Sequence, residues 1–166
     1  INNAIWGPTS GYGGGAYEFN NFSANINLGD QSKHTLNTGS GYALELRFKT
    51  NSYDSLDSLI DGRSSVGYQM YFGFEGALVC CVDTGPSAGC YNTGGFAATN
   101  LIDNKWHHAV CTGNGSNAKI YIDGVERATT SSMPQGSYNP DNLRFGSNDL
   151  GNSNFFDGFL DEIRIW

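Results

Sequence analysis

The feature that most constrains the fold of this chain is an alternation of apolar and polar residues with a period of two. The clearest case is segment 42–49, in which Tyr42, Leu44, Leu46 and Phe48 share one face and mostly charged residues occupy the other. Such alternation predicts a strand with one buried face. Similar segments recur between turns rich in glycine and asparagine, and helical periodicity is almost absent. The sequence therefore predicts an all-β fold, a two-sheet antiparallel β-sandwich or jelly roll of about ten to thirteen strands.

Composition and charge limit the number of domains and the classes of partner. The 166 residues contain no internal repeat and no linker, so we expect a single domain over residues 1–166. Hydrophobic residues make up 39% of the chain and aromatic residues 13%, which favours a buried core over disorder. The formal net charge of -7 leaves no basic patch for nucleic acid. No apolar stretch reaches about 18 residues, so membrane insertion is not expected.

Four cysteines, at Cys80, Cys81, Cys90 and Cys111, lie in the middle of the chain. Their spacing is not the C-x-x-C of structural zinc sites. Neighbouring strand residues point to opposite faces, and a bond between Cys80 and Cys81 would be strained, so two pairings remain. We favour Cys81–Cys90 together with Cys80–Cys111. With the low content of charged residues, this pattern predicts a secreted or cell-surface protein, and four reduced thiols in a cytosolic protein are the alternative.

Five segments, in order and at matching spacing, carry a family resemblance. They are 15–21 (GAYEFNN), 42–50 (YALELRFKT), 105–110 (KWHHAV), 119–125 (KIYIDGV) and 156–166 (FDGFLDEIRIW). Together they resemble the laminin-G-like, concanavalin A-like jelly rolls over nearly the whole chain. The resemblance implies two curved antiparallel sheets stacked face to face, with the N- and C-terminal strands side by side. It also implies a carbohydrate-binding or adhesive module, which we expect to be part of a larger secreted protein.

The resemblance further implies a structural calcium ion, which in the family lies where the first and last strands meet. Calcium takes about six to eight oxygen ligands. The implied ligands are Asn20, the backbone near Asn21, Asp157 and Asp161. Asn20 and Asn21 stand where the family has aspartate and glycine, and the loss of one carboxylate lowers the expected affinity. The alternative is that these acids only form ion pairs or cap strand ends.

Side chains that stack on sugar rings or bond their hydroxyls are expected on the less apolar strand faces and in the rim loops. The candidate carbohydrate contacts are Tyr53, Arg63, Gln69, Tyr71, Tyr91 and His107. For each of them the alternative is an ordinary solvated or partly packed side chain. Specificity is expected to come from loops 50–68, 83–104 and 131–157. The tryptophans, Trp6, Trp106 and Trp166, are instead predicted to belong to the core.

No pattern in the chain predicts catalysis. Retaining glycosidases of this fold group carry two glutamates on one strand, because their chemistry needs carboxyl groups about 5 Å apart. The glutamates here are scattered along the chain, at Glu18, Glu45, Glu75, Glu126 and Glu162. The sequence therefore predicts a non-enzymatic module that binds a glycan or polysaccharide. An adhesion module with a protein partner is the alternative, and a catalytic glycan-active domain is less favoured.

Overall fold

Most of the chain lies in two antiparallel β-sheets that pack face to face. The computed structural model describes every residue except 30–34, 38, 39, 55, 64, 65, 84–87, 94–100, 116, 132, 135, 139, 141 and 149. Its strands are β1 (Ile5–Gly7), β2 (Ala16–Asn20), β3 (Ile26–Gly29), β4 (Leu36–Asn37), β5 (Tyr42–Lys49), β6 (Ser58–Asp61), β7 (Gly67–Phe72), β8 (Leu78–Asp83), β9 (Ala88–Asn92), β10 (His107–Asn114), β11 (Asn117–Ile122), β12 (Val125–Thr130), β13 (Ser137–Tyr138), β14 (Leu143–Phe145) and β15 (Asp157–Ile165). Within the described part of the chain, no helix is long and apolar enough to cross a membrane.

The sheet order confirms the predicted two-sheet antiparallel sandwich. The larger sheet has seven strands in the order β1-β2-β15-β5-β10-β11-β12. The smaller sheet has six strands in the order β3-β14-β6-β7-β8-β9, and β4 and β13 form a separate pair. Because β2 pairs with β15, strands from the two ends of the chain lie side by side, as the resemblance implied.

Strand β5 shows how the alternation in the sequence produces the core. Tyr42, Leu44, Leu46 and Phe48 are buried, and the residues between them are partly exposed. Phe48 meets Phe72 of the opposite sheet edge to face, with 5.4 Å between the ring centroids. Each large apolar side chain buried in this way stabilises the fold by about 1.5–3 kcal/mol relative to leaving it in water.

Two turns follow from residues that tolerate positive φ angles. Asp123 and Gly124, with φ of 52° and 78°, join β11 to β12 in a two-residue hairpin turn, which favours these residue types. Glu75 and Gly76, with φ of 57° and 70°, reverse the chain between β7 and β8. Phe74 follows Phe72 at the two-residue spacing of the apolar face of β7, but it does not continue the strand. The strand ends at Phe72, and the 3₁₀ turn over Phe74–Gly76 leaves the Phe74 side chain 81% exposed.

Both favoured disulfides are confirmed. The Cys80–Cys111 bond crosses the interior and joins β8 to β10, so it links the two sheets covalently. The Cys81–Cys90 bond joins directly paired residues of the neighbouring strands β8 and β9. Since Cys111 faces the interior, the residues that share its face on β10, including His107, are buried as well.

The placement of the tryptophans in the core is wrong. Trp6 is 53% exposed and Trp166 is 68% exposed, while Trp106 is half-buried. Trp6 lies on the three-residue edge strand β1, which has a neighbour on one side only within the described sheet. Trp106 directly precedes β10. It faces outward because the disulfide at Cys111 requires His107, Ala109 and Cys111 to face inward.

Candidate functional site

The six-stranded sheet packs its inner face into the hydrophobic core. Its outer face has polar side chains. On β7, Tyr68, Met70 and Phe72 point into the core, so Gln69 and Tyr71 point outward. Directly paired residues form a row that includes one residue of every strand in the sheet. This polar row consists of Asn27, Arg144, Asp61, Gln69, Cys81 and Cys90.

The centre of the polar row is buried and hydrogen-bonded. Asp61 is 3% exposed and Gln69 is 4% exposed. Nε2 of Gln69 donates to Oδ2 of Asp61 at 2.7 Å and to Oγ of Ser58 at 3.3 Å. The backbone N–H of Arg63 donates to Oδ1 of Asp61 at 3.0 Å. These bonds fix the position of the carboxylate and of the amide relative to the sheet.

Tyr71 and Arg63 form the partly exposed side of this group. Burial raises the pKa of Tyr71, an effect that the nearby Arg63 charge opposes and the Asp61 charge reinforces. The Tyr71 phenol is therefore neutral at physiological pH and has a hydroxyl that can donate and accept. Its oxygen lies 3.9 Å from Sγ of Cys81. The predicted sugar contacts Arg63, Gln69 and Tyr71 thus lie together around Asp61.

The structure places the other three predicted sugar contacts elsewhere. Tyr91 is buried between the sheets, where its hydroxyl lies 3.3 Å from the carbonyl oxygen of Thr112. His107 is 8% exposed, and both of its ring nitrogens are hydrogen-bonded to carboxylates, those of Asp103 and Asp123. Tyr53 is half-buried and packs against the core. The burial of Tyr91 and His107 follows from their strands facing inward at these positions.

A second polar group, the acidic cluster, consists of Asp54, Asp57 and Asp157 beside the start of β15. Asp57 is 1% exposed, and its Oδ2 accepts a hydrogen bond from the backbone of Asp54 at 2.7 Å. Burial raises the pKa of Asp57 to about 6, and the charges of the other two acids add to this rise. Asn21 donates through its side chain to Asp54, and Ser52 donates to Asp157. The cluster therefore brings oxygen donors from three separate segments together.

The predicted calcium ligands are only partly brought together. Asp157 belongs to the acidic cluster, Asn21 is hydrogen-bonded to the cluster through Asp54, and Asn20 is paired in register with Asp157. Asp161 lies four residues further along β15, and its carboxylate accepts from the backbone N–H groups of Tyr12 and Glu162. Within the described ranges, no group of three His, Cys, Asp or Glu side chains is arranged to hold a metal ion.

The sequence interpretation missed Asp54, Asp57 and Asp61. Asp54 and Asp57 precede β6 in the chain, and only the folded structure shows that β6 begins close to the segment before β15, where the backbone N–H of Ser58 donates to the carbonyl oxygen of Asn154. Asp61 precedes a glycine, a pattern typical of turns, but in the structure it ends β6. Of the predicted specificity loops, much of 83–104 and parts of 50–68 and 131–157 lie outside the described residues.

A family comparison identifies the fold group. The model of the concanavalin A-like lectin/glucanases superfamily matches residues 20–166. The chain belongs to this superfamily. No curated protein sequence matches the chain.

Solved structures with the same concanavalin A-like fold include the binding domain of Paraclostridial Mosquitocidal Protein 1. It shares 16% identity with a TM-score of 0.75, and the alignment covers 98% of this chain and 42% of that one. The present chain thus spans less than half of the toxin domain. Domain 4 of AbnA, an extracellular arabinanase from Geobacillus stearothermophilus, was solved in complex with arabinotriose. It shares 20% identity with a TM-score of 0.74, covering 98% of this chain and 74% of that one.

A third similar structure is the CBM40 of the Ruminococcus gnavus IT-sialidase, bound to α2,3 sialyllactose. It shares 13% identity with a TM-score of 0.71, and the alignment covers 91% of this chain and 89% of that one. The concanavalin A-like fold found here is therefore shared with a binding domain and with two domains solved in complex with sugars.

This concanavalin A-like domain also has an apolar cleft, with a volume of about 440 Å³, at the edge where β1 and β3 lie. Side chains of both sheets line it, and Trp6 and Leu28 are partly exposed at its mouth. Leu160 and Ile26 at its floor belong to the core. The cleft is therefore continuous with the hydrophobic interior.

Proposed function

We propose that this domain is a non-catalytic carbohydrate-binding module whose ligand lies on the outer surface of the six-stranded sheet, over Arg63, Gln69 and Tyr71. The observation that carries this proposal is the polar group around Asp61, which is buried at its centre and partly exposed at Tyr71 and Arg63. A neutral phenol supplies a ring face for a sugar and a hydroxyl for its polar groups. Similar structures bound to arabinotriose and to sialyllactose support a glycan as the ligand.

Binding of this kind needs no covalent step, and the glutamates offer no support for one. Glu45, Glu126 and Glu162 each form an ion pair with a basic side chain of the seven-stranded sheet, at 2.7–2.9 Å between nitrogen and oxygen. They therefore lie on the opposite sheet from the polar row. Asp61 in the polar row acts by orienting Gln69 and the Arg63 backbone.

Isothermal titration with neutral and acidic oligosaccharides tests the proposal. We expect Tyr71→Ala and Arg63→Ala each to weaken binding by roughly tenfold or more, because each removes a direct contact. Tyr121→Ala and Arg127→Ala, which change the same residue types on the seven-stranded sheet, should bind as the unmodified protein does. Sugar binding that is lost equally in all four variants, or in none, would contradict the assignment of the site.

An extracellular location fits this function. Two disulfides join strands of the domain, and such bonds persist in oxidising compartments. The expected larger parent protein would then carry this module outside the cell. Recovery of the full-length protein from the culture medium, with both disulfides intact by mass spectrometry, tests the location.

We also propose a structural calcium ion at the acidic cluster. The donors there are oxygens of carboxylates, an amide and a hydroxyl, which suit a hard cation. Asp54, Asp57, Asp157 and Asn21 would hold the ion after a local rearrangement, since the three carboxylates are not arranged as a ligand set in the present structure. The ion would then fix the start of β15 against the loop before β6. Calcium titration into metal-stripped protein should give heat and raise the melting temperature, and Asp57→Asn should weaken both. A melting temperature independent of calcium up to millimolar concentrations would remove this part of the proposal.

Protein adhesion is the second candidate function, favoured by the apolar cleft beside β1 and β3. Exposed apolar side chains around a cleft are typical of protein interaction sites. Trp6 is the side chain there with the largest exposed ring. If no glycan binds, loss of protein binding in Trp6→Ala with retained folding would support adhesion.

A further inference from the structure

Gln69 has an amide whose orientation is fixed by its neighbours. Its Nε2 donates to Oδ2 of Asp61. An ionised carboxylate carries no proton, so it can only accept hydrogen bonds. It also donates to Oγ of Ser58, and the Ser58 hydroxyl uses its own proton on the carbonyl oxygen of Leu56. Rotating the amide by 180° would place its oxygen against two acceptors. The oxygen Oε1 must therefore stay on the side away from Asp61.

Oε1 of Gln69 is a buried acceptor that no donor of the described residues reaches. Buried polar atoms in native proteins are nearly always hydrogen-bonded, so an atom in this position calls for a partner from outside the chain. The partner has to donate, because an amide oxygen only accepts. It also has to tolerate the Asp61 carboxylate, which is held on the other side of the same amide.

Tyr71 defines the direction from which such a partner arrives. Residues two apart on one face of a strand are separated by about 6.6–6.8 Å, which is comparable to the width of a sugar ring. A ring that stacks on Tyr71 therefore brings its hydroxyl groups next to Gln69. Since Oε1 has no contact with solvent, the groups that cover it have to shift as the ligand enters.

From this geometry we infer that one hydroxyl group of the sugar ligand donates a hydrogen bond to Oε1 of Gln69. This inference rests on the proposed carbohydrate site and specifies its ligand. A sugar carboxylate cannot donate to Oε1, so a hydroxyl group has to take this position. Sites that bond a ligand hydroxyl through a buried polar atom reject analogues lacking that hydroxyl, because the atom is then left unpaired. Gln69 thus determines specificity, while Tyr71 provides the contact surface.

The test is a titration of the folded domain with arabinotriose, lactose, further uncharged trisaccharides and α2,3-sialyllactose. We expect at least one of these sugars to bind, and the sugar that binds most tightly is used in the next step. Monodeoxy analogues of the tightest ligand are then compared in the unmodified protein, in Gln69→Met and in the control Thr112→Val. Thr112 is a polar residue on the outer surface of the seven-stranded sheet. Circular dichroism and melting temperature establish that each variant is folded.

One monodeoxy analogue should bind roughly tenfold more weakly to the unmodified protein and to Thr112→Val, because Oε1 loses its donor. That loss should disappear in Gln69→Met, which has no acceptor to leave unpaired. Equal losses in all three proteins, or no loss with any monodeoxy analogue, would overturn the inference while the carbohydrate site itself stands. If no sugar binds the unmodified protein, the proposed function fails and the inference falls with it.

Discussion

Replacing Asp57 by asparagine is expected to stabilise the metal-free protein at neutral pH and to have little effect in acid. Asp57 is 1% exposed, and burial raises its pKa from the ordinary 3.8 to about 6. The backbone N–H of Asp54 opposes this rise, and the charges of Asp54 and Asp157 reinforce it. The asparagine oxygen can still accept the hydrogen bond from the Asp54 backbone, so the variant removes the charge and retains that contact.

The sign and size of the effect follow from proton linkage. Between pH 3.8 and about 6 the folded protein holds a proton on Asp57 that the unfolded chain has lost, so the free energy of unfolding falls as the pH rises through this window. One pKa unit corresponds to about 1.4 kcal/mol, so ionising Asp57 costs the folded state up to about 3 kcal/mol at pH 7. Asp57→Asn should therefore be more stable by up to about 3 kcal/mol at pH 7, with the gain absent below pH 4.

Urea unfolding in the presence of a chelator, at intervals from pH 4 to pH 8, measures this difference directly. Glu75→Gln serves as the control for the loss of one negative charge, because Glu75 lies exposed in the turn over Phe74–Gly76. A stability difference between Asp57→Asn and the unmodified protein that stays constant across the pH range would refute the reasoning. With calcium added, the gain should shrink or reverse, since the variant loses a carboxylate that the proposed ion would use.

Two further predictions concern the interior and the disulfides. Tyr91→Phe should lower the free energy of unfolding by about 1–2 kcal/mol, since the carbonyl oxygens of Thr112 and Lys119 lose the Tyr91 hydroxyl as a donor. Chemical unfolding measures this difference, and an unchanged free energy of unfolding would contradict the contact. A dithiol added to the folded domain should reduce Cys81–Cys90 before the inter-sheet bond, because the Cys90 residue is exposed whereas both cysteines of the inter-sheet bond are buried. Alkylation and mass spectrometry give the order, and simultaneous reduction would be the contrary result.

The sequence predicted those parts of the fold that depend on neighbours within one segment. The alternation in segment 42–49 specifies a strand with one buried face, and Asp123-Gly124 specifies a two-residue turn; both are local properties of the backbone. Local geometry also excluded a Cys80–Cys81 bond and left two pairings, and the structure contains the one that was favoured. The same pairing could have corrected the orientation of β10, because a bond from Cys111 across the interior requires the face of His107 to point inward.

The candidate site could be predicted only in part because it depends on the register between distant segments. The polar row includes residues of all six strands of the smaller sheet, and adjacent members such as Asp61 and Arg144 are far apart in the chain. Nothing within either segment indicates that they are paired. The acidic cluster has the same origin, since Asp57 and Asp157 approach only once the sheets have formed. Burial of the Gln69 oxygen is likewise a property of the assembled surface.

The bond between Cys80 and Cys111 has a consequence for the unfolded chain. The two cysteines are 31 residues apart, and closing a loop of this length removes denatured-state entropy worth roughly 3–4 kcal/mol in the chain-entropy description. In an unfolded but oxidised chain, the segments that form β8 and β10, one from each sheet, therefore stay close together. Sandwich folds are slow to form because most of their contacts join remote segments. Here one such long-range contact persists through denaturation, because the disulfide keeps a segment of one sheet next to a segment of the other.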